Sequence, residues 1–497
     1  MRVRRTIFIA LFAAAVLLRV ADTFRPLDRA SWRESDLGSI ARNFTREGMN
    51  PLYPRIDWRG TGPGYAEMEL PLYPWTIAVA YKAFGIHDET GRIISMLLSL
   101  GVLALFWFLA RDILEPDEAV AAFAFFAFNP LIFEISTAVQ PESLTILAYL
   151  ATAYFFARWM RTDRLSDLLA AAAFTSLSIL AKATSAHIGL LIAVVWLRKE
   201  GVCAVKNWRT YAFACIALAP GILWYIHAKY LWLTYGNSLG VSNEHHWIGP
   251  DFFTNSYFIL GILLNEIEWV WAGIGVIVAL VGVILARRER AASFSLIWLA
   301  SVFVFLIVAA RTTADDWANY YHVFAVAPAS LLIGIGAGKG IALFGDLKAK
   351  FSTRKVLAAL IVLASVAAFV FNLRSIRGLF LQHRKHEPAF AESQQIEPYL
   401  RRDGLILVSG GACVDKDGYA LAYNASYMFY WLDRKGFNIC SDRQTVAAVE
   451  GFRSLGAQYF VAQKSELAHA KGFEPEVASR FPTVIETDEF IVFDLHP

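Results

Sequence analysis

The sequence predicts a polytopic α-helical membrane protein with a small α/β domain at its C-terminal end. Apolar residues make up 57% of the 497 residues and charged residues only 18%, and the mean hydropathy is +0.44. This composition is typical of membrane proteins. Apolar runs close to the roughly 20 residues that a bilayer core requires recur up to residue 373. We therefore predict a transmembrane domain over residues 1–373 and an extracytoplasmic α/β domain over residues 374–497.

About 11 apolar runs are predicted to cross the membrane. They fall at 6–21, 92–110, 119–135, 141–158, 166–181, 185–197, 210–228, 268–286, 293–310, 323–341 and 356–373. The first run follows Arg2, Arg4 and Arg5 and so resembles a signal peptide, but it lacks a small-x-small cleavage site before Asp22. We therefore expect an uncleaved first span.

Connections that are rich in lysine and arginine alternate along the chain with connections that are poor in them, and this alternation predicts the orientation of the chain. One set of connections is rich in basic residues, including Arg158, Arg161, Arg164, Arg198, Lys199, Arg287, Arg288, Arg290, Lys348 and Lys350. After the first outer loop, the other set is nearly bare between spans, with only Lys182, Lys229 and Arg311. Because basic connections stay in the cytoplasm, we predict a cytoplasmic N-terminus. The loops 22–91, 229–267 and 311–322 and all residues after 374 are then outside. No long basic run is present, so nucleic acid is not an expected partner.

The segment after Arg374 contains short β-rich stretches instead of long apolar runs. Three are predicted as buried strands and one as a helix: Gly404–Val408, Gln458–Ala462 and Phe490–Leu495, and Gln444–Leu455. Cys413 and Cys440 are the only cysteines on this side, and an extracytoplasmic compartment permits a disulfide between them. We expect Cys203 and Cys215 to be packing residues.

The first outer loop holds the densest group of polar residues, between Trp32 and Phe84. Its charged members include Arg33, Glu34, Asp36, Arg55, Asp57, Arg59, Glu67 and Glu69. Carboxylates act as general bases or metal ligands, and arginines bind phosphates in a bidentate geometry. The alternative interpretation is a solvated loop with scattered charges.

Further polar residues lie at the predicted outer ends of spans. Gln140 and Glu142 begin one span, Lys182 ends another, and the last outer loop contains Arg311, Asp315, Asp316, Tyr320, Tyr321 and His322. Ionisable groups at such depths are costly and often functional. The alternatives are that Lys182 snorkels to the interface, that Glu142 is a helix N-terminal charge, and that the two aspartates form a solvated turn. A single outer layer of carboxylates, cations and aromatic rings suits a reaction between a lipid-anchored phosphate donor and a polar acceptor.

The motifs R-E-S-D-L-G-S-I-A-R-N-F, N-P-L-Y-P-R-I-D-W-R-G and E-M-E-L-P-L-Y, with Y-N-A-S-Y-M-F-Y-W-L-D-R-K-G-F near the C-terminus, resemble the GT-C superfamily of membrane glycosyltransferases. The likeness is to the bacterial protein-mannosyltransferase and aminoarabinose-transferase group, glycosyltransferase families 39 and 83. It implies a polyprenyl-phosphate-sugar donor, inversion at the sugar carbon and a lipid, glycan or protein acceptor. It also implies a bacterial cytoplasmic (inner) membrane protein with a loop carboxylate as general base.

This resemblance places the role of base on Asp36, just before the expected I-A-R-N-F helix, with Glu34 as second choice. Glu69 matches the glutamate of the aminoarabinose transferases' Glu-Lys-Pro motif, but Leu70 replaces the lysine. We expect Glu69 to orient a substrate or bind a metal. The phosphate then needs another cation, for which Arg59, Arg92 and Lys182 are the candidates.

The remaining candidates for substrate binding share the predicted outer face: Asp57, Glu67, Tyr73, Gln140, Glu142, Arg311, Tyr320, Tyr321 and His322. No cofactor is firmly implied. A divalent metal is left open, with Glu69, His245 and His246 as ligands suggested by metal-binding relatives.

A secondary transporter is the rival class, and a non-enzymatic envelope protein is a further alternative. Transporters tend to have repeated halves with broken helices near the membrane midplane, and the sequence shows neither. A folded outer domain also favours a transferase. The two classes differ in whether the polar residues lie at one membrane face or within the spans.

Overall fold

The computed structural model describes residues 2–241, 250–345, 353–412, 423, 425–468 and 470–496. Its first twelve helices are α1 Arg2–Thr23, α2 Trp32–Glu47, α3 Leu72–Phe84, α4 Glu89–Ile113, α5 Pro116–Ala127, α6 Pro130–Ile135, α7 Glu142–Thr162, α8 Leu165–Ala181, α9 Ile188–Glu200, α10 Trp208–Tyr235, α11 Ser256–Asn265 and α12 Gly275–Leu285. The later helices are α13 Arg290–Val308, α14 Ala310–Thr313, α15 Val323–Gly345, α16 Thr353–His383, α17 Pro388–Ile396, α18 Tyr427–Leu432, α19 Val446–Ser454, α20 Lys464–Leu467 and α21 Phe473–Arg480. The strands are β1 Ala66–Glu67, β2 Asn237–Ser238, β3 Ile406–Ser409, β4 Gly436–Ile439, β5 Tyr459–Gln463, β6 Thr483–Glu486 and β7 Phe490–Asp494.

The chain divides into two compact units that do not follow chain order. The first comprises residues 1–24, 93–223 and 244–383, and the second comprises residues 25–92, 224–243 and 384–497. The second unit therefore joins the first loop to the C-terminal segment. A division at residue 373 remains a prediction.

The first unit is built from apolar helices around the central helix α15. Within the described ranges, six helices are long and apolar enough to cross a membrane, or seven if a bent pair counts as one span. That pair joins Ser256–Val270 to Gly275–Leu285 at an angle of 87°. In α15, a Cβ added to Gly336 would come within 2.1 Å of the Val278 carbonyl oxygen. This glycine therefore lets α12 and α15 pack closely, as small residues do between membrane helices.

One predicted span is interrupted in the structure. The apolar run at 119–135 forms two short helices, α5 and α6, instead of one continuous helix. The Asn129 side chain accepts hydrogen bonds from the amides of Leu131 and Ile132, at 3.0 and 3.4 Å, and Pro130 occupies the first position of α6. Asparagine caps and first-turn prolines both begin helices, so the sequence signal for a new helix was present inside the apolar run.

A five-stranded sheet occupies the C-terminal part of the second unit, in the order β4-β3-β5-β7-β6. β3 pairs in parallel with β4 and β5, and β7 pairs antiparallel with β5 and β6. Side chains from α19 and α21, including Val449 and Val477, join Leu407, Phe460 and Phe493 in its apolar core. The three predicted strands correspond to β3, β5 and β7 and the predicted helix to α19; β4 and β6 are additional.

Candidate active site

Helix α2 carries the two acidic residues on which the sequence analysis centred. It begins at Trp32, where the Ser31 side chain accepts a hydrogen bond from the Glu34 amide at 3.4 Å. The expectation that a helix starts after Asp36 was therefore wrong, because Ser31 and Glu34 form the S-x-x-E pattern typical of a helix start. Asp36 lies in the second turn and is held by a regular helix.

Asp36 is a buried carboxyl group with one hydrogen-bonded oxygen. Asp36 is only 2% exposed, and its Oδ1 accepts a hydrogen bond of 3.0 Å from Trp58 Nε1. Its Oδ2 has no hydrogen-bond partner among the described residues. Burial raises the pKa of Asp36 to about 8, although the Trp58 hydrogen bond and the Ser426 hydroxyl act in the opposite direction.

A second buried carboxylate lies beside the same face of α2. Asp57 Oδ1 accepts a hydrogen bond of 2.7 Å from Asn43 Nδ2. Burial raises the pKa of Asp57, and the Asn43 and Ser39 side chains partly offset the rise. Its negative charge in turn raises the pKa of Asp36. Because Asp36, Ser39 and Asn43 are three and four residues apart, they share one side of the helix.

Residues of the C-terminal segment pack directly on α2 and on the loop that follows it. The Ser426 hydroxyl donates to the Trp32 carbonyl at 3.2 Å, and the Trp58 and Tyr423 ring centroids are 5.8 Å apart. The backbone pairs as well: the Gly60 amide donates to the Gly436 carbonyl at 2.6 Å. The last quarter of the chain therefore helps to enclose the first-loop carboxylates.

Glu34 has partners different from those of Asp36. Arg92 Nη1 lies 3.0 Å from Glu34 Oε1 in a buried ion pair, and Arg92 also donates to the carbonyls of Arg25 and Pro26. Two residues apart on a helix, Glu34 and Asp36 cannot share a face. The structure thus assigns Glu34 to a salt bridge and leaves an oxygen of Asp36 without a partner among the described residues.

The other first-loop candidates are held by neighbouring residues. Glu67 is fully buried in β1, which pairs in parallel with β2, and accepts a hydrogen bond from Ser238. Glu69 Oε1 lies 3.7 Å from Arg33 Nη2. The Tyr73 hydroxyl donates to the Gly91 carbonyl at 2.9 Å.

Each cation that we proposed for the phosphate already contacts a carboxylate. Arg59 binds Glu47 with two nitrogens, at 3.0 and 3.1 Å, and donates to the Pro63 carbonyl. Arg92 pairs with Glu34, and Lys182 pairs with Glu142. A phosphate would have to share or replace these partners, so its binding by these residues stays a prediction.

In the first unit, the structure brings Glu142, Lys182, Tyr320 and Tyr321 together. Lys182 Nζ lies 2.6 Å from Glu142 Oε1, and both side chains are buried. The same nitrogen lies over the rings of Tyr320 and Tyr321, 4.4 and 4.3 Å from their centroids. Lys182 is therefore buried in a cage, not extended to the interface as snorkelling would require.

His322 also lies in a buried pair. Its Nδ1 is 2.8 Å from Glu266 Oε1, and its Nε2 is 2.9 Å from the Thr313 carbonyl oxygen. Glu266 begins a π-helical segment that runs to Val270. Gln140 is half-buried before α7, and Arg311 is half-buried in α14.

Two of the predicted metal ligands and one cysteine of the predicted disulfide lie outside the described residues. They are His245, His246 and Cys413. Where side chains are described, no group of three or more histidine, cysteine, aspartate or glutamate residues could hold a metal ion. Cys440 is disulfide-bonded, whereas Cys203 and Cys215 are free and exposed. The pairing of Cys440 with Cys413 stays a prediction.

Sequence reasoning missed Trp58 and Ser426, whose side chains act on Asp36, and Tyr423, whose ring lies beside that of Trp58. Trp58 follows Asp57 in the I-D-W-R-G motif, and the other two belong to the C-terminal Y-N-A-S-Y motif. Both motifs were recognised as family-like, but neither indicates by itself which side chain would meet Asp36.

The comparisons with known proteins agree with this architecture. Residues 68–224 match the family model described as dolichyl-phosphate-mannose-protein mannosyltransferase. No curated protein sequence matches the chain. The structure of ArnT from Cupriavidus metallidurans bound to undecaprenyl phosphate is 15% identical, with a TM-score of 0.65 over 98% of this chain and 98% of that chain.

Two further structures are similar. The oligosaccharyltransferase of Archaeoglobus fulgidus in the apo form is 13% identical, with a TM-score of 0.57 over 96% of this chain and 73% of that chain. The arabinofuranosyltransferase AftD from Mycobacteria is 14% identical, with a TM-score of 0.57 over 99% of this chain and 40% of that chain.

The chain thus shares its fold with solved membrane glycosyltransferases. The predicted resemblance to the mannosyltransferase and ArnT-like group of the GT-C superfamily is confirmed.

Proposed function

We propose that the protein transfers a sugar from a polyprenyl-phosphate donor to an acceptor on the outer side of a bacterial inner membrane, with Asp36 as the general base. The observation that carries this proposal is the buried carboxyl of Asp36, which has one oxygen fixed by Trp58 and the other without a described partner. The GT-C fold supports it.

The raised pKa suits Asp36 to the role of base. A carboxylate with its ordinary pKa near 4 binds protons weakly, whereas a base with a pKa near the working pH removes a proton more effectively. Burial supplies this shift by disfavouring the charged form. The Trp58 hydrogen bond keeps the side chain in one orientation, which positions Oδ2 for the incoming acceptor.

The proposed step is a direct displacement at the anomeric carbon. The acceptor atom forms its bond to the sugar carbon while the bond from that carbon to the phosphate oxygen breaks. The polyprenyl phosphate leaves with the electron pair, and the acceptor's proton ends on Asp36. Attack from the side opposite the leaving group inverts the configuration of the sugar carbon.

Charge on the leaving phosphate requires a cation. We retain Arg59, Arg92 and Lys182 as candidates, and Glu69 as an orienting residue beside Arg33. In each candidate the carboxylate partner would hold the cation in place before the donor binds. Phosphate binding would then share the cation with its carboxylate, because full replacement of a buried partner such as Glu34 or Glu142 would leave that carboxylate charged and alone.

The test is donor consumption by membranes that contain the protein. These membranes and matched membranes without the protein are incubated with a panel of labelled undecaprenyl-phosphate sugars. We expect one donor to be consumed only when the protein is present, with release of undecaprenyl phosphate. If the folded protein consumes no donor in the panel, the proposed function is wrong.

A further inference from the structure

Tyr423 is a buried tyrosine that the proposed mechanism does not yet use. Its residue is 4% exposed, and no described residue offers its hydroxyl a hydrogen-bond partner. Its ring lies beside that of Trp58, the same residue that donates to Asp36. Tyr423 and Asp36 are therefore both neighbours of one indole ring.

The vicinity of Trp58 thus contains two buried polar atoms that lack described partners, Asp36 Oδ2 and Tyr423 Oη. Buried polar atoms without partners are rare in folded proteins, and each one calls for an explanation. Their electrostatics also link them, because burial and then the nearby charges, including that of Asp36, raise the pKa of Tyr423 far above its usual value. The phenol consequently stays protonated and is a hydrogen-bond donor, whereas ionised Asp36 is an acceptor.

A single hydroxyl group would satisfy both atoms. Its oxygen accepts a hydrogen bond from Tyr423, its hydrogen is donated to Asp36, and the oxygen retains a second lone pair for attack. An amine nitrogen has only one lone pair, which it would lose to Tyr423. A phosphate oxygen that is already ionised has no proton to give, and its charge would lie next to the carboxylates of Asp36 and Asp57.

We infer that Tyr423, from the C-terminal segment, binds the reacting hydroxyl group of the acceptor together with Asp36, and that the acceptor is therefore an alcohol and not a phosphate or an amine. This inference rests on the proposed function and specifies its acceptor. In the step itself the hydroxyl oxygen bonds to the sugar carbon, the hydroxyl proton moves to Asp36, and the phosphate leaves with its electron pair. Tyr423 keeps its proton throughout.

The first arm of the test identifies the new linkage in the wild-type protein. Native membranes are incubated with the labelled undecaprenyl-phosphate sugars, and the labelled product is exposed to mild acid and analysed by mass spectrometry. We expect an acid-resistant glycoside attached through a hydroxyl oxygen. An acid-labile glycosyl phosphate or a nitrogen-linked product would overturn the inference while leaving the proposed function intact, whereas absence of any transfer would refute the proposed function.

The second arm uses matched tyrosine variants. Tyr423→Phe keeps the ring and removes the hydroxyl, and we expect the rate of transfer at limiting acceptor to fall about tenfold, with the KM for the donor unchanged. The control is Tyr427→Phe, because the Tyr427 hydroxyl already donates to Gln463 at 3.1 Å. Wild-type transfer by Tyr423→Phe would overturn the role of Tyr423. The linkage arm stands even if this variant fails to fold.

Discussion

At the scale of single residues, Asp36 illustrates a conflict between stability and function. Its pKa is about 8 in the folded protein, against an ordinary value of 3.8. Between pH 3.8 and about pH 8, the folded protein therefore keeps a proton on Asp36 that the unfolded chain releases. The stabilising effect of this proton is fully present below about pH 4 and is lost as the pH rises through about 8. At the pH where the carboxylate would act as the proposed base, its burial destabilises the fold.

Asp36→Asn is expected to lower sugar transfer by about 10²–10⁴-fold, because the amide keeps the size of the side chain but cannot accept the proton. The measurement is transfer from the consumed donor at equal protein abundance. The variant should also melt at a higher temperature than the wild type at pH 8, since it lacks the buried charge.

Glu34→Gln is the companion variant, because Glu34 lies on the same helix but pairs with Arg92. Retention of wild-type transfer by Asp36→Asn, with loss of transfer in Glu34→Gln, would assign the role of base to Glu34. Full activity in both would exclude the first loop as the catalytic centre.

Activity should rise with pH up to about 8 and then level off. Only the deprotonated form of Asp36 accepts a proton, so below its pKa the rate should fall about tenfold for each pH unit. The measurement is the pH profile of transfer at limiting acceptor. A profile that is flat between pH 5 and 8 would contradict the assignment.

At the scale of elements, the contact between α2 and α18 fixes the site. A Cβ added to Gly38 would come within 2.5 Å of the Tyr430 ring. The centroid of the same ring lies 3.7 Å from the guanidinium carbon of Arg42, and the Tyr430 hydroxyl donates to Asp88 at 2.7 Å. The ring therefore has partners on several sides and little freedom to move away.

Gly38→Ala is consequently expected to destabilise the protein by about 1–3 kcal/mol, the usual cost of overpacking. The control is Gly451→Ala in α19, where an added Cβ meets nothing within 4 Å. That change should be neutral or stabilise by up to about 1 kcal/mol, since alanine favours a helix more than glycine does. Melting temperatures of the two variants compare them directly, and equal effects would show that the ring moves freely.

The buried pair of Glu142 and Lys182 joins the start of α7 to the end of α8. Loss of one partner leaves a buried charge alone, so Lys182→Met and Glu142→Gln should each cost about 3–5 kcal/mol, and the double variant less than their sum. The exposed pair of Arg480 and Glu450, at 2.6 Å, is the control, and Arg480→Met should cost at most about 1 kcal/mol. Additive effects in the buried pair would show that the two residues act independently.

Patterns within one element were predictable from the sequence, and pairings between distant segments were not. Buried strands such as β5 and β7 are short apolar runs, and their positions follow from the sequence. The partners of Asp36 could not be predicted in this way, because Trp58 and Ser426 are separated from it by 22 and 390 residues of chain. Hydrophobic pattern and local signals specify elements, whereas side-chain contacts depend on how the chain folds back.

At the scale of the whole molecule, the positive-inside pattern predicts that residues 374–497 lie outside the cytoplasm. A reporter that works only outside should be active when fused at the C-terminal end and inactive when fused after Arg164. A reporter that works only in the cytoplasm should give the opposite result. Cytoplasmic activity at the C-terminal end would reverse the orientation and the face of the membrane on which we place the reaction.

The backbone pairing of Gly60 with Gly436 has a consequence for the order of synthesis. A ribosome makes α2 and the loop that contains Trp58 several hundred residues before it makes the segment that packs on them. Asp36 therefore meets Ser426 only after a further 390 residues have been translated. A chain whose synthesis stops before this segment carries the acidic loop without its cover, so such a truncated product contains Asp36 but lacks the proposed site around it.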